Sequence, residues 1–242
     1  MTVSSLDRTA FRTAPCDVGR AEIFDDSTGL GLVRTTPRED PGLWAEFLRG
    51  ARRSYEKHGV TMAMEQDARR IGAETALFFA TIDRAGDVVG GVRGQGAYQR
   101  AEQSHALTEW AGNPGRDMIR SMIDSRVGDG VVEMKTAWVG SHATDPGLVA
   151  GALARVAIPT MDAMDVRWVM ATAAEHVLRR WESSGGRVAE SVPHAAYPDA
   201  RYKTRIMWWD RHSIQDDAQP VVLSLMRRDA RALDRSATSA AA

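Results

Sequence analysis

The chain is expected to fold as an α/β protein on one mixed sheet, antiparallel in its first half and closed by a parallel β-α-β crossover, with helices on its flanks. Three observations predict this. Leu77–Ile82 (LFFATI) and Val88–Val92 (VVGGV) are strands around Asp83-Arg84-Ala85-Gly86-Asp87, a turn in which glycine can supply a positive φ. Val131–Val139 (VVEMKTAWV) and Arg167–Ala173 (RWVMATA) are strands separated by a helical stretch, as a parallel crossover requires. The order of hairpin and then β-α-β-α-β fits neither a doubly wound nor a barrel pattern.

Each element has its own signal. Residues 1–28 show no clear period and read as an N-terminal arm with a short strand near Ala21–Phe24. Leu30–Thr35 opens the domain. Asp40-Pro41 starts a helix, with Asp40 as N-cap and Pro41 at its first position. Leu43, Trp44, Phe47, Leu48 and Ala51 recur along it at helical spacing, and it stops before Gly59. A second helix is expected over Gln66–Glu74. The adjacent Gly90 and Gly91 weaken their strand and imply that something approaches it closely. Residues 94–130 form a helical insert, with a helix after Asn113-Pro114 carrying Met118, Ile119, Met122 and Ile123 on one face.

Asp145-Pro146 opens the crossover helix, with Leu148, Val149, Leu153 and Val156 inward and Pro159 as a break. Glu175–Ser184 is a short helix ending at Gly185-Gly186. Arg187–Val192 and Tyr202–Trp209 complete the strands. One of Trp208 and Trp209 is expected in the core, the other at the cleft or in a homodimer contact. The domain thus spans 29–214, followed by an extension over 215–242 whose Ala/Ser-rich end from Ser236 is expected to lack fixed structure.

Composition excludes several classes. A formal net charge of -1 over 242 residues, with acids and bases interleaved, gives no basic stripe for nucleic acid. One cysteine, Cys16, can form neither an internal disulfide nor a cysteine metal site, which suits a cytoplasmic home. The six histidines show no metal spacing, so no metal is expected. No apolar leader and no run near the roughly 20 apolar residues of a membrane span is visible.

The strand order, the hairpin FFATIDRAGDVVGGVR and the stretch VMATAAEHVLRRWESSGGRV resemble the GNAT superfamily of acyltransferases over about Leu32 to Asp210. The closer resemblance is to the autoinducer synthases and N-acyl amino acid synthases. Arg93 in VVGGVR, the insert, and Glu133 and Val139 in E-x-x-R-x-x-V spacing carry it, although Thr136 stands in place of that arginine. The aspartates that autoinducer synthases place before the second strand are matched only loosely, by Glu65 and Asp67.

The resemblance implies a sheet whose central strands splay apart around an acyl thioester, from acyl-CoA or an acyl carrier protein, with no permanently bound cofactor. Its acyl group would pass to a small amine acceptor. Trp138, Val139, Gly140, Ser141 and His142 would then line the donor site. Glu133 is the candidate base, directly or through water, with pairing to an arginine such as Arg93 as the alternative. Arg93 would hold an acceptor carboxylate or Glu133 itself, or else point to solvent.

Two departures matter. Of the phosphate-binding loop only Gly147 matches; Asp145 puts a carboxylate at the helix start, and Pro146 removes an amide donor. This favours a donor with a single phosphate, such as a carrier protein's phosphopantetheine arm. The tyrosine that would protonate the leaving thiolate is Trp181 here, leaving Tyr197 or Tyr202 as substitutes. A non-catalytic binding module and an ordinary acetyl-CoA N-acetyltransferase are the rival readings.

Overall fold

A computed structural model describes residues 18–61 and 68–240. Cys16, Glu65 and Asp67 lie outside them. Strands β1 (Ala21–Asp25), β2 (Leu30–Thr35), β3 (Thr75–Ile82) and β4 (Val88–Gly96) pair antiparallel in sequence order. β5 (Val131–Val139) continues the antiparallel series on β4, then pairs parallel with β6 (Trp168–Ala174). β8 (Thr204–Asp210) lies against β6, and β7 (Arg187–Val188) forms the far edge. The expected strand from Arg187 to Val192 shrinks to two residues, because Val192 turns away to pack under the insert.

Alternation along each strand sends side chains to two cores. On one face, α1 (Pro41–Lys57) packs Trp44, Phe47 and Ala51 against Phe78, Ala80 and Trp138. Each such large side chain removed from water contributes about 1.5–3 kcal/mol. Asp40 caps α1 through Leu43 N at 2.9 Å. α2 (Ala68–Glu74) lies beside it. The insert covers the rest of this face with α3 (Ala106–Glu109) and α4 (Arg116–Asp124), which bury Trp110, Ile119 and Ile123 on Val131, Met170 and Trp208. Met118, expected on the inner face of α4, is 38% exposed.

The opposite face carries α5 (Pro146–Ala154), α6 (Ala157–Met164), α7 (Leu178–Ser183) and the long C-terminal α9 (Pro220–Ala240), with the short α8 (Ile214–Asp217) between the last two. The crossover breaks at Arg155, before Pro159, which falls in the first turn of α6 where no amide is missed. Pro146–Met164 has the length and mean hydropathy, 1.2, to cross a membrane, but it is this pair of helices, half buried in the core.

The segment from Ser236, expected without structure, continues α9 to Ala240. Met226 and Leu233 anchor that helix in the core, and Arg34 reaches Asp234 at 3.2 Å. Trp208 and Trp209 are both core, on opposite faces.

Gly90 and Gly91 do mark close approaches. A Cβ at Gly91 would stand 2.6 Å from the Phe47 ring, and one at Gly90 2.5 Å from Val149. Helices α1 and α5 therefore close on β4 from its two sides.

Candidate active site

The site begins with a slip in register. From Gly91 to Arg93 β4 advances two residues, while β5 runs three, from Trp138 to Lys135. Thr136 sits in the resulting bulge at φ 53°, a left-handed conformation that a β-branched residue adopts only when its surroundings hold it there. Arg93 helps hold it, donating to Thr136 Oγ1 at 3.3 Å. β5 leaves β6 at this point. Their pairing stops at Met134 opposite Ala171, while β6 continues along β8 to Ala174.

The divergence opens a cleft of about 780 Å³. Its two sides are Lys135 to Val139 of β5 and Ala171 to Ala174 of β6. Backbone groups that β6 would otherwise pair face this gap. Met134, Leu153, Val177 and Trp181 form an apolar wall, while Tyr55, Glu109, Lys135, Tyr197 and Tyr202 form a polar end.

The polar end is an ionic network. Lys135 Nζ bonds Glu109 Oε1, approaches His105 Nδ1 at 3.1 Å, and lies 3.6 Å from Glu133 Oε1. Burial pushes the Glu109 carboxyl up, but Lys135 and His105 outweigh it and bring it down to about 2. Burial pulls Lys135 down, and the two carboxylates more than reverse this. Glu109 Oε2 is buried with no hydrogen-bond partner among the described residues, on a residue that lines the cleft. Burial, then Glu109, pushes the Tyr197 phenol up to about 12.

Glu133 is not where the sequence argument put it. It is fully buried and stands one layer behind the cleft. Its Oε2 accepts from Tyr98 Oη at 2.6 Å, Ser104 Oγ at 2.8 Å and His105 N at 3.1 Å. The insert folds over β5 and covers the carboxylate, which a strand pattern alone could not reveal. Arg93 is neither in solvent nor on the cleft wall: it is 3% exposed and also donates to Thr75 Oγ1 and Gln95 Oε1, each at 3.3 Å.

Trp138, Val139, Gly140, Ser141 and His142 come together around a second pocket of about 250 Å³ that shares Trp138 and Val139 with the cleft. Gly147 does not join them. It lines a separate cavity beside Arg155 and Asp229, and its amide donates to Asp145 Oδ1 at 2.8 Å. Leu148 N donates to the same oxygen at 3.1 Å, so the start of α5 is closed by its own cap. Trp181 lines the cleft where the tyrosine was sought, and Tyr197 and Tyr202 line it too.

Glu109, Lys135 and Tyr55 escaped the sequence argument. Lys135 had a signal: with only three lysines in the chain, it alternates with Glu133 on one face of β5. Glu109 had none, since its partner lies 26 residues away on another element.

Comparison with known proteins places this geometry among relatives. No known protein-family profile matches the chain. Uncharacterized proteins of Mycobacterium tuberculosis (Rv1356c) and Mycobacterium bovis (Mb1391c) are each 49% identical over 215 residues, covering 87% of this chain and 82% of theirs. Among solved structures, FeeM, an N-acyl amino acid synthase from uncultured soil microbes, superposes with a TM-score of 0.53 at 11% identity over 78% of this chain and 95% of its own. The AHL synthase LasI gives 0.54 at 11% over 83% and 98%. BjaI, a CoA-dependent acyl-homoserine lactone synthase, gives 0.52 at 13% over 88% and 90%.

Proposed function

The chain belongs to one family with these mycobacterial proteins and has the GNAT fold of the synthases, and on that premise we propose that it is an acyltransferase moving an acyl group from a thioester to the amine of a small acceptor such as an amino acid. The observation that carries this reading is the splay of β5 from β6, which leaves an open cleft with a charged end and an apolar wall. An occluded gap would have favoured a binding module instead. The names of FeeM and BjaI, both acyl-transferring synthases, point the same way.

The acyl thioester lies in the gap, its carbonyl oxygen facing backbone donors of β5. The acceptor's ammonium pairs with Glu109, whose Oε2 has no hydrogen-bond partner among the described residues. A carboxyl held at about 2 is a poor base, so Glu109 binds the ammonium, and the proton leaves to water through the cleft mouth. The amine nitrogen then attacks the carbonyl carbon: the C–N bond forms, the C–S bond breaks, and the nitrogen loses its second proton to water. The leaving thiolate accepts a hydrogen bond from the Tyr197 phenol and takes its proton from solvent. Glu133 fixes the Ser104–His105 turn and Lys135, and Arg93 braces the Thr136 bulge. Both therefore act as positioning residues.

Free-thiol release from acyl-CoA and acyl-carrier panels, with mass spectrometry of the N-acylated product across an amine panel, tests the reading. Glu109→Gln should raise the acceptor KM about 10–100-fold, the worth of one charge-assisted bond, with kcat little changed. No donor consumed, or an unaltered KM, refutes it. A second reading, binding without turnover, draws on Trp181 standing where a phenol was sought. It predicts that thioesters raise the melting temperature while no thiol is released.

A further inference from the structure

The polar end of the cleft has room for one more positive charge and none for a negative one. Glu109 Oε2 has no hydrogen-bond partner among the described residues, on a side chain that is 1% exposed and lines the cleft. Lys135, the buried cation beside it, is already committed. An ammonium has three N–H donors, and Lys135 Nζ has Glu109 Oε1, His105 Nδ1 at 3.1 Å and Glu133 Oε1 at 3.6 Å around it. Two buried carboxylates therefore share one lysine. The other cationic side chains on the cleft wall, His58, His176, Arg179 and Arg180, are exposed to water, where screening weakens them. Burial pushes the Tyr55 and Tyr197 phenols up, and Glu109 adds to both, so the wall around this carboxylate resists a second anion.

We propose that the acceptor is a primary amine with no free carboxylate on its α-carbon: an amino acid tied up as an amide or ester, or a simple alkylamine. This rests on the reading of the cleft as an acyl-transfer site and narrows the acceptor of that reading. With the acceptor nitrogen hydrogen-bonded to Glu109 Oε2, an α-carboxyl carbon is two bonds from that nitrogen. It then stands within about 5.5 Å of the same oxygen. A carboxylate there meets a like charge in a site shielded from water, with no uncommitted buried cation among the described residues to offset it. An amide carbonyl or a hydrogen in its place carries no such charge. Arg93, the residue expected to hold an acceptor carboxylate, does not relieve this, because it is 3% exposed and lies off the cleft wall. Glu109 is thus the residue that sets the charge of the acceptor: it draws the ammonium in and keeps a carboxylate out.

The test is kcat/KM, with one thioester donor that the native chain consumes, for leucine and phenylalanine, for their amides, and for isoamylamine and phenethylamine, the same molecules without the carboxylate. The native chain should favour the amides and the amines over the free amino acids by at least about tenfold. The amines are the decisive arm. An amide makes its neighbouring nitrogen less basic and so supplies more free amine, whereas these alkylamines are at least as basic as the amino acids. In Glu109→Gln the ratio of amine to amino acid should fall toward one, since the repelling charge is gone. Amides favoured while the amines do no better than the amino acids trace the preference to basicity and overturn the proposal. Amino acids used as well as their amides and amines overturn it too, as does a ratio unchanged in a folded Glu109→Gln. The native panel is decisive by itself where that variant does not fold. No thiol released from acyl-CoA or acyl-carrier donors with these or any wider set of amines overturns the reading of the cleft, and this proposal with it.

Discussion

Replacing Lys135 with methionine keeps the volume of the side chain and removes the cation that two buried carboxylates share. Glu109 and Glu133 have side chains 1% and 0% exposed, so neither can turn to water for compensation. Holding Glu109 at about 2 against 4.5 in the unfolded chain is worth about 3 kcal/mol at neutral pH. Stranding a buried charge costs about 3–5 kcal/mol in comparable cases. For a chain of this size that corresponds to a melting temperature lower by about 6–20 °C.

The sign of the pH dependence is the sharper test. In the native chain the depressed carboxyl contributes stability that is complete above 4.5 and lost as pH falls toward 2. In Lys135→Met, only His105 is left to oppose burial at Glu109, so its carboxyl moves up from about 2. The loss relative to the native chain is then greatest at neutral pH and relieved by protonation. Melting curves at pH 7 and pH 5 should show the gap between variant and native chain narrowing on acidification, and Lys135→Met/Glu109→Gln should recover much of the loss at pH 7. A gap that is small at pH 7, or that widens at pH 5, refutes the account of the network.

Two further outcomes follow from named contacts. A Cβ at Gly50 would stand 2.0 Å from the Trp138 ring, so Gly50→Ala must push the indole toward the cleft; the expected cost is about 1–3 kcal/mol in urea denaturation together with weaker thioester binding. Tyr197→Phe should lower the rate of thiol release about 10²-fold or more with donor KM held, while Tyr202→Phe stays near native; equal effects at the two positions would remove Tyr197 from the leaving-group step.

The hairpin, the crossover and the cap at Asp40 were legible because each rests on neighbours in the chain: a turn glycine, an apolar period, a carboxylate three residues before an amide. The closure of the α5 start by Asp145 was legible for the same reason. Where contacts join distant segments, local pattern misled. Ser236 onward is Ala/Ser-rich and reads as a loose tail, yet Met226 and Leu233 dock α9 on the sheet and carry the helix to Ala240. Glu133 on a central strand reads as a carboxylate at a cleft, yet Tyr98, Ser104 and His105 arrive from the insert to cover it.

The sequence by itself determined the strand order, the hairpin and the crossover, because periodicity and turn chemistry are properties of short segments, and a resemblance carried by those elements implied the GNAT fold. Only the tertiary structure decided which carboxylate meets the cleft. Glu133 and Glu109 are both acids near the same lysine, and what separates them is the layer of insert that buries one behind β5 and leaves the other on the wall. That layering comes from the bulge at Thr136 and the packing of Trp110, Ile119 and Ile123. It is a sum of contacts between segments far apart in the chain, and a linear reading of residues does not contain it.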